Sequence, residues 1–377
     1  MSETATPTAP SRADRLRSFL EQDPGNARLL ADAAAAALDE GEPDAAAQLI
    51  GRYGPAPLPP ALLNLKGVAA LQAGRPADAA EAFEGLVAAG EADPVVRFNL
   101  AWARTLTGDH EGALEMLDDG SAEAAPGGPA LKIHALHHVG RLEEALETGA
   151  GLAERHPEDG ALMGALAAVA IDSEDSALAR SYAERAGGND EGLAALGTLE
   201  LDEGRLEQSL ALFGRALEAD PGNARANIGM GMGLLARGDG KAAIPFIERG
   251  AERFGDHPGS WIAAGWALFL QGDHEGARDR FEKALACDDS FAESHGGLAV
   301  VDIAEGDLES GRRRTEIARR LDPNCFSAAL AKSLLLEGEG RGPAAEKVRA
   351  AAMATPIAPG GKTMAEAIAA IGRRERR

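Results

Sequence analysis

His134, His137 and His138 stand at i, i+3 and i+4, a spacing that sets three imidazoles on one face of a helix, where they could address one metal ion. No cysteine or carboxylate pair accompanies them at ligand spacing, so solvated or interhelical histidines are the commoner use, and a pH-sensitive surface is the alternative. Gly360-Gly361-Lys362-Thr363 matches the end of a phosphate-binding loop, but Pro356 stands where G-x-x-x-x-G-K-[ST] requires its first glycine, and no strand precedes it. A loop capped by Thr363 into a terminal helix is the simpler reading. There is no G-x-S-x-G, no H-E-x-x-H and no carboxylate pair separable from the many surface glutamates. The expectation is therefore a non-enzymatic protein with no catalytic residue, no metal and no cofactor.

Composition bounds the partners. The net charge of -22 repels phosphate backbones, which disfavours general nucleic-acid binding. The charge is uneven: residues 312–377 hold 14 Lys/Arg against 7 Asp/Glu, so an acidic body ends in a basic tail. That tail, with Arg312 to Arg314, Arg319, Arg320 and a final RRERR, reads first as a solvated face and carries no interleaved aromatics. The longest apolar run, Ala161 to Ile171, is well short of the ~20 residues that span a bilayer. Cys287 and Cys325 are too few for a disulfide framework, and residues 1–12 lack the apolar core of a secretory signal. A cytoplasmic location is expected.

The elements that would position these residues are legible from a period. Glycine recurs every 34 residues at Gly204, Gly238, Gly272, Gly306 and Gly340. Taking it as position 15 places unit starts at Ala27, Pro60, Pro94, Pro126, Gly160, Asp190, Ala224, Pro258, Ala292 and Phe326. The echoes DPGNAR (residues 23–28 and 220–225) and GDHEGA (108–113 and 272–277) support that register. Leu193, Leu196, Leu199 and Leu201 before Gly204, and Leu210, Leu212, Phe213 and Leu217 after it, follow helical spacing, so each unit reads as a helical hairpin. Position 20 is always small (Ala, Ser or Gly) and position 8 usually so, Ile133 being an exception, which implies close helix crossing.

On these residues the chain resembles the tetratricopeptide-repeat family: Leu196-Gly197, Ser209, Phe213 and Pro221 in one unit, and Trp261, Gly265, Ala277 and Phe281 in another, fall on its 34-residue pattern. The resemblance implies an all-α, right-handed superhelical solenoid of about ten hairpins over residues 27–357. A tail at 1–10 and a capping helix at 11–26 would precede it, and a basic capping helix at 358–377 would follow. Gly149 and Ala183 replace the large residue at position 24, Glu174 replaces the turn glycine and one unit shortens to 30 residues, so packing should weaken there. Residues 119–129, rich in Gly and Pro, are the expected hinge of one continuous array.

The resemblance also implies a concave groove lined by the first helix of each hairpin. Its expected lining comprises Phe98, Asn99 and Trp102, then Ile228 and Met232, then Ile262, Trp266 and Phe269. Trp102 and Trp266 share position 9, where they either anchor a bound peptide or pack against the neighbouring hairpin; Trp261 falls on the family's buried position 4. The family's dicarboxylate clamp is not matched, because Asn64 and Val68 before Asn99, and Gly127 and Leu131 after it, replace the required Lys, Asn and Arg. The expected partner is a peptide or helix of another protein, basic and apolar in character. The alternatives are a regulatory subunit or assembly factor of an enzyme complex, and a metal protein using the histidine trio.

Overall fold

A computed structural model of the chain describes residues 10–53 and 57–354. The terminal helix expected at 358–377, the Gly360–Thr363 loop and all but Pro10 of the N-terminal tail lie outside these residues. The chain divides into two compact units, Met1–Pro157 and Glu158–Arg377. The described residues of both are wholly helical apart from turns.

In the first unit a lone α1 (Arg12–Gln22) precedes α2 (Ala27–Asp39), α3 (Pro43–Gly51), α4 (Pro60–Gln72), α5 (Pro76–Ala88), α6 (Pro94–Leu106) and α7 (His110–Met116). The short α8 (Asp119–Ala122) then leads to α9 (Gly128–His138) and α10 (Leu142–Arg155). The second unit contains α11 (Gly160–Asp172), α12 (Ser176–Arg185), α13 (Asp190–Asp202), α14 (Leu206–Ala219), α15 (Ala224–Ala236) and α16 (Gly240–Phe254). It continues through α17 (Pro258–Leu270), α18 (His274–Cys287), α19 (Ala292–Ala304), α20 (Leu308–Leu321), α21 (Phe326–Gly338) and α22 (Gly342–Met353). Successive helices pair as hairpins. First helices of neighbouring hairpins also touch, as in α2 with α4, α11 with α13, α13 with α15 and α19 with α21, which places them on the more crowded side of each unit.

Each hairpin is punctuated by local chemistry. Aspartates such as Asp93, Asp159 and Asp273 accept N–H groups of the first turn that would otherwise have no partner. Prolines at the starts of α3, α5 and α22 occupy first-turn sites where a missing N–H costs no helical bond. The turn glycines adopt left-handed backbone, with φ from +69° to +91°. Glu174 takes the same place at φ +60°, the one non-glycine residue with positive φ among those described.

Small residues at position 20 are buried from Ala46 to Ala345, so the helices of each pair cross without intervening side chains. The glycine at position 8 serves a further purpose. A Cβ on Gly67, Gly197, Gly231 or Gly265 would lie 2.3–2.6 Å from Phe83, Phe213, Ile247 or Phe281, the large residue at position 24 of the same hairpin. Phe213 and Phe281 are also met from the next hairpin, by Gly229 and Gly297. These phenylalanines are fully buried. In the hairpin that has Gly149 at position 24, position 8 is the fully buried Ile133: the sizes are exchanged.

Three stability changes follow from the left-handed backbone and from the notch that the position-8 glycine leaves for the large residue at position 24. Glu174→Gly should stabilise the second unit by about 1 kcal/mol by relieving a left-handed conformation that a Cβ disfavours, measured by urea unfolding. Gly265→Ala should destabilise by about 1–3 kcal/mol because the Phe281 ring has nowhere to move. Gly214→Ala, on a helix with no tighter neighbour than Met230 Cε at 3.9 Å, should stabilise by about 0.5–1 kcal/mol. A common sign for the two alanine variants would contradict the notch.

Candidate partner-binding surface

The expected groove residues fall in both units, and each set is built by its own hairpins. In the first unit, α6 carries Val95, Phe98, Asn99, Trp102 and Leu106 along one side at helical spacing. Phe98 is buried beneath this side at 6% exposure, whereas Trp102 is 45% exposed and Leu106 54% exposed. The Trp102 ring leans on Phe98 at 6.0 Å between centroids, so the buried ring orients the exposed one. Asn99 is half-buried.

In the second unit the apolar residues are more enclosed. Ile262 is buried, and Trp266 is half-buried, in edge-to-face contact with Phe269 at 5.6 Å and Phe281 at 5.5 Å between centroids. Phe269 in turn stacks on His274 at 5.0 Å. Ile228 is half-buried and packs where a Cβ on Gly250 would be 2.7 Å away, while Met232 is exposed. Phe98 and Ile262 thus support the surface and do not present to it; Trp102 and Met232 do present. Trp261 is buried, and its Nε1 donates to the Gly255 carbonyl at 2.7 Å.

Polar groups that the repeat pattern does not reveal border these strips. Arg225 at the start of α15 donates to both oxygens of Asp172 at the end of α11, at 2.8 and 2.9 Å, reaching across α13. His257 accepts the Ser260 N–H through Nδ1 at 3.2 Å and so caps α17, a role open only to the neutral imidazole. Burial lowers its pKa, Asp172 and Arg225 pulling in opposite directions.

The histidine trio gains a fourth member. His110, at the start of α7, stacks on His138 with centroids 4.2 Å apart and planes 4° from parallel, while the His137 and His138 rings are tilted at 6.3 Å. No group of three or more His, Cys, Asp or Glu among the described residues is arranged to hold a metal ion. The pairing of His110 with His138 joins residues 28 positions apart in the chain, so the i, i+3, i+4 pattern on α9 could not disclose it. His138 as a whole is exposed, yet one ring face lies on His110; desolvation, then the neighbouring His110, His137 and His134, push its pKa down to about 4.

Other perturbed groups are structural. Glu200, on α13, accepts from Arg205 and Arg180, and these hydrogen bonds hold its carboxyl down to about 2 against the desolvation that opposes them. Asp302 on α19 is buried between Arg278 at 2.8 Å and Arg314 at 3.0 Å. Cys325 caps α21 through Sγ, and burial followed by the nearby Glu293 raises its thiol well above its ordinary value, which leaves it a poor nucleophile.

The depressed His138 pKa has a defined sign. A folded state that resists protonation is fully favoured above the ordinary histidine value of about 6.5 and loses that advantage as pH falls toward the folded pKa. Stability should therefore decline between about pH 6.5 and pH 4, and His138→Phe, which keeps a flat ring against His110, should decline less. An NMR titration placing the His138 midpoint at the ordinary value would contradict the assignment.

A tetratricopeptide-repeat profile matches residues 70–136 and 200–263, and a second profile of the same description matches residues 258–283. No curated protein matches the sequence. Among solved structures, a monomeric IFIT1 mutant with m7Gppp-AAAA aligns with a TM-score of 0.54 at 13% identity, covering 90% of this chain and 94% of that one. The human IFIT1 dimer with PPP-AAAA gives 0.50 at 13% identity, over 90% and 93%. The APC/C hetero-tetramer Cut9-Hcn1 gives 0.51 at 14% identity, over 96% and 86%. At such identities the likeness concerns the fold. The tetratricopeptide-repeat description is therefore met in both units, once in the first and twice in the second, in the hairpin register that the turn glycines set, and the chain carries tetratricopeptide repeats over these residues.

Proposed function

We propose that the chain is a non-enzymatic scaffold that holds a peptide or helix of another protein against the first-helix face of its hairpins. The observation that carries this reading is Trp102: a tryptophan 45% exposed, braced from behind by Phe98 and aligned with exposed Val95 and Leu106. Leaving that much aromatic surface in water is unfavourable, and large rings held in fixed orientation are the usual anchors of bound protein segments. Met232 and the partly open Trp266 and Phe269 offer a second apolar strip in the other unit.

The ligand class follows from charge. IFIT1 appears among the structural neighbours with RNA oligomers, but a chain of net charge -22 does not favour a phosphate backbone. A protein segment with apolar side chains and basic flanks fits the acidic surroundings and would be steered toward them. No helix among the described residues is long and apolar enough to cross a membrane. A regulatory subunit or assembly factor of an enzyme complex is the second reading, favoured by the arginine-rich α20, whose contacts would lie away from the first-helix face.

Affinity capture from native cell extract tests the proposal. Trp102→Ala should weaken retention of the partner by about 30-fold, the equivalent of ~2 kcal/mol for an anchor residue, while thermal stability changes less than on truncating a buried ring, because 45% of the residue is already exposed. Glu147→Ala, an exposed change on the second helix α10, should leave retention intact. Equal recovery with all three baits would reject the groove assignment.

A further inference from the structure

The outward face of α20 differs in charge from that of several other second helices. Position 22 of the hairpin is acidic and exposed at Glu81, Glu115, Glu147 and Asp279. Position 26, one turn on, is basic and exposed at Arg185, Arg215, Arg249 and Lys283. Acid followed by base at i, i+4 suits a solvated helix, and Asp279 pairs with Lys283 at 3.3 Å in this way. In α20 position 22 is Arg313, a base as at Lys347 of α22, and position 26 is the apolar Ile317. Position 29, acidic at Glu154, Glu218 and Glu252, becomes Arg320.

Burial of the helix does not depend on these outward residues. The inward side of α20 is Gly311, Thr315 and Ala318, all buried, and Arg314 is drawn in to Asp302. The helix holds five arginines against two glutamates. Arg312 pairs with Glu339 at 3.2 Å and Glu316 answers both Arg319 at 3.9 Å and Arg320 at 3.2 Å, while Arg313 donates to Ser310 Oγ. Ile317 is 37% exposed and Leu321 44% exposed beside these guanidiniums. Basic groups and apolar side chains share one exposed strip on an otherwise acidic protein.

We propose that this strip docks on the acidic surface of a second copy of the chain. The complement is present in the sequence itself: residues 312–377 carry a net +7, and the remainder of the chain supplies the -29 that brings the total to -22. A strip meeting its own copy would oppose like charges, so the contact is heterologous, one copy's α20 against a different surface of the next, and assembly grows with concentration instead of stopping at a symmetric dimer. Nucleic acid is the poorer occupant, since the strip offers no aromatic ring for base stacking. An anionic lipid surface would address the same guanidiniums, and the experiment below separates it from a second copy. Two copies repel at long range, but at about 0.1 M salt charges more than ~10 Å apart are screened while contacts within the interface are not.

Sedimentation of the full chain at about 0.1 M salt over a wide concentration range tests this. The expected result is an average mass that rises with concentration in the wild type. It should be abolished in Arg313→Glu/Arg320→Glu, retained in Arg313→Lys/Arg320→Lys and weakened about tenfold in Ile317→Ser, with unchanged helical circular dichroism in all three. A wild type that stays monomeric throughout overturns the proposal, as does association that the double charge reversal leaves intact. RNA or anionic vesicles bound by the wild type and lost in the charge reversal, without self-association, would assign the strip to that other ligand and equally overturn it.

Discussion

Phe213 and Phe281 each fill a space that glycines leave open, one glycine from the opposing helix of the same hairpin and one from the hairpin that follows. The rest of the array depends on that close approach. A fully buried phenylalanine contributes a few kcal/mol through apolar burial, and here the ring lies between backbones that come near enough to exclude even a methyl group. It closes its own hairpin and joins that hairpin to the next. Because only 4% of the chain is aromatic, few such rings are available, and alanine and leucine fill the crossings between them. Where the ring is absent, as at Gly149, the buried Ile133 on the opposite helix restores bulk to that hairpin.

Charge contributes selectivity to this packing. Arg180 and Arg278 stand at position 21 of their hairpins and reach Glu200 and Asp302, each at position 11 of the next. Each acidic residue then accepts a second arginine, Arg205 or Arg314. Buried or half-buried ion pairs are weak sources of net stability, because desolvation cancels much of the attraction. Their cost when mispaired is high. A hairpin displaced along its neighbour would leave Asp302 buried without a partner, so these pairs oppose slippage among hairpins whose apolar faces are similar.

Much of this was readable from the sequence because it repeats. The left-handed turn glycines, the small residues at position 20 and the buried Trp261 all follow from positions in a 34-residue unit, and each is found where that register puts it. What the register could not disclose joins residues that are not related by the period. His110 meets His138 through the approach of α7 to α9, and Arg225 reaches Asp172 across an intervening helix. Phe98 and Ile262 share a nominal groove position, and both are covered, since a face that is exposed on one isolated helix can be closed by its neighbours. A pattern on one helix specifies direction; burial depends on what stands opposite.

Trp102 and Trp266 show this most directly, for they occupy the same position in hairpins that differ around them. Behind Trp266 the residue at position 24 is Phe281 and the residue one turn on is Phe269, and both rings meet it edge to face. The corresponding residues near Trp102 are Leu117 and Thr105. Neither offers an aromatic edge, and among the described residues Trp102 retains Phe98 as its one ring neighbour. An aromatic cluster holds one indole within the fold, and its absence leaves the other turned to water. Removing the ring of Trp266 therefore disturbs the packing around Phe281, whereas removing that of Trp102 disturbs mainly the surface. Of two residues equivalent in the repeat, Trp102 is the one that the fold leaves exposed.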